Sequence, residues 1–241
     1  MLEQSSAPTP VRVSRLSIGY GVKEAVSSIS FELTAGRTLA VMGPGGSGKT
    51  SLLRALADAE VSGMWIEGEL RVTPGAPLCC WQKPVFEARR LDALLLEAAG
   101  DSRAKPQDLL DEVWRAVPEA AATLLPWLET SLSEADRDVR ALVAFSRLVL
   151  RALRGPKALL LIDEPTADVS PPVAQWLRAG LEGLRGRHTL VLVTHDQRLA
   201  RSVADDVLLL AAGSFVEKAP VEEFFRQPRT ARASQFVRMG S

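Results

Sequence analysis

The chain has 241 residues, 46% hydrophobic and 24% charged, which suits one globular α/β domain or a core with a small subdomain. Basic and acidic residues balance at 29 each and the pI is near 6.8, so nothing argues for a nucleic-acid-binding surface. No apolar run approaches the roughly 20 residues that cross a bilayer, and Met1–Ser6 lacks the basic and apolar regions of a signal peptide, so neither is expected.

Residues 1–10 are polar with two prolines and are expected to be loose. Val11–Ile18 alternates with period two and predicts a strand, ending at the turn Gly19-Tyr20-Gly21. Ala25–Leu33 alternates again and Thr34-Ala35-Gly36 turns the chain back, so an antiparallel patch is expected beside a parallel core. The apolar run Thr38–Met42 reads as a buried strand. It leads into Gly43-Pro44-Gly45-Gly46-Ser47-Gly48-Lys49-Thr50, which fits the phosphate-binding pattern G-x-x-x-x-G-K-[ST]. Ser51–Ala57 follows with helical spacing.

Val61–Val72 predicts a further strand, broken by Pro74, Gly75 and Pro77. Leu78–Trp81 predicts a short buried strand that delivers Gln82 into a loop closed by Pro84. Cys79 and Cys80 are neighbours and so point to opposite faces, which predicts buried reduced thiols rather than a bridge. From Val85 to about Thr130 helical pattern dominates, with breaks at Gly100, Pro118 and Pro126. A long helix is expected from Glu134 to about Leu153, opened by a Ser133-x-x-Asp136 capping box and stopped at Gly155-Pro156. The expected division is a core of residues 10–84 and 154–241 with a helical subdomain at about 85–153.

Ala158–Ile162 and Thr189–Val193 are two more buried strands, capped by Asp163-Glu164-Pro165-Thr166 and by Thr194-His195-Asp196. Pro172–Leu184 predicts a helix between them, another starts at Gln197, and a hairpin turns at Ala212-Gly213. Strands alternating with helices give a parallel sheet that binds ligand at its C-terminal edge. The glycine loop, Asp163-Glu164 and His195 each follow a strand and fall on that edge.

Each group there has a chemistry. The glycines let backbone N–H groups close around a phosphate at a helix N-terminus. Gly43 to Ser51 would hold the nucleotide, Lys49 its β- and γ-phosphates, and Thr50 with Asp163 a Mg²⁺ ion. Glu164 is the candidate general base for water, Gln82 a sensor of Mg²⁺ or that water, and His195 a γ-phosphate contact. Tyr20 offers a flat face for adenine. His188 sits in a polar turn and is assigned nothing.

In this order Tyr20, the loop 43–50, Gln82, the helical stretch, Asp163-Glu164 and His195 resemble an ATP-binding-cassette (ABC) ATPase subunit over nearly the whole chain. The resemblance implies a P-loop NTPase (RecA-like) core, ATP and Mg²⁺ as cofactors, and a dimer sandwiching two ATP molecules. Each would lie between one subunit's P-loop and the other's signature motif. It implies that Gln82 and the helical subdomain face membrane-spanning permease subunits, with the chain peripheral on the cytoplasmic face of the inner membrane. Segments 61–69, 82–84 and 221–228 look like phosphate-importer ATPases, the last shared with polar-amino-acid importers. DNA-repair members carry long coiled-coil insertions, and the insertion here is short.

Two stretches depart from the family pattern. Leu132-Ser133-Glu134-Ala135-Asp136 stands where the family has Leu-Ser-Gly-Gly-Gln, so the cross-dimer residues Ser133, Glu134 and Ala135 bring acids and no glycine. In Ala167-Asp168-Val169-Ser170 a serine replaces the usual aspartate. Two readings follow: an importer ATPase, or a regulatory or hetero-pairing ATP-binding module that hydrolyses slowly. An impaired signature and a working variant both remain open at this point.

Overall fold

The computed structural model describes residues 9–59, 61–73, 75–84, 86 and 89–239. Its centre is a set of short apolar strands: β3 (Thr38–Met42), β6 (Leu159–Asp163) and β7 (Thr189–Val193), with every residue buried. Burial on both faces explains why these strands read as unbroken apolar runs. Side chains sort by alternation. Leu160, Ile162, Leu190 and Leu192 enter one core, while Leu159, Leu161, Val191 and Val193 enter the other.

The sheet begins with β1 (Val11–Tyr20) and β2 (Lys23–Leu33), and later adds β4 (Met64–Val72), β5 (Leu78–Cys80), β8 (Asp206–Ala211) and β9 (Ser214–Pro220). The nine strands run β4-β1-β2-β9-β8-β3-β7-β6-β5. From β8 to β5 every pairing is parallel, and β4-β1-β2 is antiparallel. The expected α/β fold with a parallel core and an antiparallel patch is therefore present. The β8–β9 hairpin turns on Ala212 (φ 50°) and Gly213 (φ 77°), the left-handed pair a two-residue turn requires.

One core lies between the sheet and α1 (Lys49–Leu56) with the antiparallel patch. The other is built from α2 (Leu91–Ala99), α3 (Pro106–Val113), α4 (Pro118–Leu124), α5 (Arg137–Arg154), α6 (Pro171–Leu184) and α7 (Gln197–Val203). Inside it Trp114 donates from Nε1 to Ser146 Oγ at 2.8 Å and its ring lies 5.3 Å from that of Phe145. A third cluster seats α8 (Val221–Arg226) and α9 (Ala231–Met239) through Phe224, Phe225 and Phe236.

Several expectations need correction. The long helix starts at Arg137, not Glu134, and the Ser133–Asp136 box does not form. Ser131 instead caps a 3₁₀ turn over Leu132–Glu134, Ala135 is extended, and Asp136 caps α5 by accepting from Val139 N at 2.9 Å. Val139 N reaches the Asp136 side chain and not Ser133, so the helix starts behind Asp136. The break expected at Pro126 is present: α4 ends at Leu124 and Leu125–Trp127 is 3₁₀, because Pro126 has no N–H to continue the ladder. Tyr20 is the last residue of β1 rather than a turn residue. Val85, part of the helical stretch, and most of the N-terminal residues 1–10 lie outside the described residues.

Candidate active site

The P-loop connects β3 to α1. It closes tightly because Gly43 (φ 147°) passes the Leu210 carbonyl, which a Cβ would meet at 2.0 Å. Gly48 (φ 94°) is the N-cap of α1 and a Cβ there would stand 2.5 Å from Ala25 O. No side chain caps α1 and no acid lies in its first turn, so its amides face outward uncapped. Ser47 Oγ is buried without a hydrogen-bond partner among the described residues. Lys49 Nζ donates to Gly43 O at 2.8 Å and Pro44 O at 3.0 Å, which holds the ammonium over the loop. Burial lowers its pKa, and the charges of Glu164 and Asp163 oppose that shift.

A groove of about 490 Å³ runs from this loop past Tyr20, Lys23, Ala25 and the β8–β9 turn. Tyr20 Oη donates to Ser51 Oγ at 3.3 Å, which places the ring beside the start of α1. The groove fits a nucleotide in size, and its uncapped amides and ammonium fit phosphate. The sequence marks Ala212-Gly213 only as a hairpin turn and gives neither them nor Lys23 a place in the site. They join the groove only because β2 and the β8–β9 hairpin fold over the loop, and no local motif marks them.

Asp163 ends β6 and is 4% exposed. Thr50 Oγ1 stands 3.4 Å from its Oδ1. Burial raises the Asp163 pKa, against the bond from Thr50 and the charges of Arg54 and Lys49. These converging oxygens would suit a hard cation. Among the described residues there is no cluster of three or more His, Cys, Asp or Glu that would cage a metal alone. Thr50 and Asp163 are the groups that would hold Mg²⁺.

Glu164 follows with φ 46°, a strained backbone for a residue with a side chain. Its amide donates to Val193 O at 2.9 Å, tying it to the end of β7. Its Oε2 lies 2.8 Å from His195 Nδ1 and accepts from His195 N at 3.3 Å. This contact orients the imidazole and the carboxylate against each other. Gln82 is exposed and lines a cavity of about 340 Å³ together with Glu164.

The remaining sites fall elsewhere. Ser133 and Glu134 are exposed and Ala135 is buried on the approach to α5. His188 is a buried structural residue, its Nδ1 accepting from Ala158 N at 3.3 Å. Cys79 and Cys80 are free; Cys80 is buried as expected but Cys79 only half-buried, and burial pushes their pKa values up to about 12 and about 11 respectively.

A phosphate loop at the mouth of a parallel sheet, with an acidic pair two strands away and a histidine just beyond the strand between, defines a P-loop nucleotide hydrolase. The family model described as ABC transporter matches residues 26–94. The chain is 34% identical over 229 residues to the hemin import ATP-binding protein HmuV of Streptomyces coelicolor, covering 88% of this chain and 78% of that one. It is 27% identical over 252 residues to the phosphate import ATP-binding protein PstB 2 of Mycobacterium tuberculosis, covering 97% and 89%. A solved structure of an ATP-binding subunit of an ABC transporter superposes with a TM-score of 0.74 at 18% identity, covering 95% of this chain and all of that one, and shows the shared fold. The chain belongs to the ABC transporter family and is one of its ATPases.

Proposed function

We propose that the chain is the ATP-binding, ATP-hydrolysing subunit that powers an importer from the cytoplasmic face. One observation carries this reading. The uncapped start of α1 with Lys49, the Thr50–Asp163 oxygens and the Glu164–His195 pair converge on one sheet edge. Gly43 to Ser51 bind the phosphates, Tyr20 stacks on adenine, and Thr50, Asp163 and Gln82 attend Mg²⁺, which neutralises phosphate charge when bound. Glu164 accepts a proton from the attacking water while His195 holds its carboxylate in place. In this reading residues 10–84 and 154–241 form the nucleotide-binding core, and about 85–153 form a helical subdomain that faces permease subunits. Phosphate or another small polar solute is the inferred cargo, from the likeness of segments 61–69, 82–84 and 221–228. Among the described residues no helix is long and apolar enough to cross a membrane. Lys49→Ala is expected to abolish Mg-ATP binding, and Glu164→Gln to bind ATP without turnover. The reading fails if Lys49→Ala leaves binding and transport untouched.

A second reading is favoured by the geometry of the signature segment. Ser133 N donates to Ser131 Oγ at 3.3 Å, Ala135 N to Leu132 O at 3.2 Å, and Val139 N to Asp136 Oδ1 at 2.9 Å. Arg140 turns its guanidinium inward to Ala135 O at 2.7 Å and Ser133 O at 2.8 Å. These amides are already occupied by the chain's own acceptors, and Glu134 and Asp136 stand exposed beside them. A second ATPase chain with an intact signature would then complete the sandwich, and self-pairing would hydrolyse slowly. Light scattering of Glu164→Gln protein separates the two: an ATP-dependent homodimer supports self-pairing, and a nucleotide-bound monomer supports a hetero-pair.

A further inference from the structure

The loop from Glu164 to Ser170 carries two residues with side chains in the left-handed region, Glu164 (φ 46°) and Asp168 (φ 60°). Such conformations persist only where surrounding contacts hold them. At its start the loop is held by the Glu164–Val193 backbone bond and by His195. At its end, Ser170 is the N-cap residue of α6, yet its hydroxyl makes no capping bond. The contact comes from another helix, because Ser170 N donates to Asp138 Oδ1 at 2.8 Å. Asp138 lies in the first turn of α5, behind the Asp136 cap. Between these anchors α5 and the loop both line the 340 Å³ cavity, with Val169 packed against the core that α5 helps to build. The other polar link, Arg137 to Asp168 at 3.4 Å, joins side chains that are 73% and 55% exposed and is screened by solvent.

We propose that Asp138 is a positioning residue for Glu164: by accepting the Ser170 amide it fixes the far end of the strained loop, so the start of α5 sets the aim of the hydrolytic carboxylate. The inference rests on the reading of Glu164 as general base. It also gives the helical layer a mechanical hold on chemistry. A shift of α5 relative to the sheet moves the Asp138–Ser170 anchor and leaves the P-loop contacts alone. Nucleotide binding and hydrolysis can then respond separately to whatever rests on the helices.

The test compares Asp138→Leu with Asp138→Asn, whose Oδ1 can still accept the amide. Asp138→Leu should lower kcat about tenfold to 100-fold, the scale of a reacting group misplaced by about 1 Å. KM for ATP and Lys49-dependent binding should stay within about twofold, because no P-loop contact is touched. Asp138→Asn should recover most of kcat. A purely structural role would instead weaken nucleotide binding and turnover together. Equal loss in both variants, or unchanged kcat in Asp138→Leu, overturns the proposal. Hydrogen–deuterium exchange of the 164–170 segment reads the anchor independently of turnover. It should rise in Asp138→Leu and not in Asp138→Asn, and unchanged exchange overturns the proposal. Turnover that survives Glu164→Gln sinks the reading of Glu164 as base, and the exchange result still decides whether Asp138 holds the loop.

Discussion

Glu217 on β9 is 4% exposed, and its carboxylate is the anchor of the C-terminal helix. Arg229 N donates to both oxygens at 3.1 Å, Thr230 N to Oε2 at 3.0 Å, and Thr230 Oγ1 to Oε2 at 3.1 Å. Thr230 Oγ1 in turn accepts from Ala233 N at 3.1 Å, so one side chain relays the cap into α9. Glu217→Ala strands two backbone amides and a hydroxyl at a half-buried helix start. Each unpaired donor costs about 1–3 kcal/mol and the lost charge–dipole term about 0.3–1, but water entering the gap recovers part. We therefore expect a net loss of about 3–5 kcal/mol. For a chain of this size about 2–4 °C follow each kcal/mol, so the melting midpoint should fall by about 6–20 °C. Glu217→Gln keeps one acceptor oxygen and should cost about half as much. Calorimetry of the three proteins with their nucleotide affinities is the assay. Gln197 Nε2 donates to Phe236 O at 3.1 Å and Val237 O at 3.2 Å, so α9 also touches the segment after His195. A drop under about 3 °C in Glu217→Ala would refute the capping argument.

Three further outcomes are expected. Gly48→Ala places a Cβ 2.5 Å from Ala25 O at a φ of 94°, so the loop cannot keep its shape and fluorescent-ATP titration should show no saturable binding; affinity within about threefold of wild type would contradict this. His195→Ala removes the 2.8 Å bond to Glu164 and should lower kcat by about 100-fold with little change in KM, so a rise in KM at constant kcat would place His195 in binding instead. If the signature segment blocks self-pairing, Glu134→Gly with Ala135→Gly and Asp136→Gln, made in a Glu164→Gln background, should convert a 26.0 kDa species into an ATP-dependent dimer. The same mass with and without these changes would locate the block elsewhere.

The nucleotide edge was legible because its signals are contiguous. Strand, glycine loop and helix follow one another in 38–56, and Asp163-Glu164 and His195 sit directly behind apolar runs. Burial on both faces makes those strands unmistakable, and strand ends fix which edge their successors occupy. Start signals for helices were less secure. Ser131, Ser133 and Asp136 are all capping types within six residues, and sequence spacing alone cannot rank a hydroxyl against a carboxylate. The short helices α8 and α9 carry too few turns for a clear period, and their places depend on Glu217 and on Phe224, Phe225 and Phe236 meeting in one cluster.

The groups that escaped the sequence share one property: their partners are distant along the chain. Asp138 meets Ser170 across 32 positions, and Thr189 Oγ1 meets Gly36 N across 153. Ranking them requires knowing which helix crosses which loop, and that depends on the order β3-β7-β6-β5 at the sheet's parallel end. The split has a functional logic. Groups that touch nucleotide must follow strand ends, so they read as motifs. A group that aims another group only needs to lie across a gap from it, and any residue with the right acceptor can serve. In this chain an aspartate does so from the first turn of α5, two positions beyond a signature that has lost its glycines. On our two proposals the same helix start combines a closed segment 132–136 with a hold on Glu164. Loss of the first while keeping the second fits a subunit whose own P-loop side hydrolyses ATP and whose signature side need not.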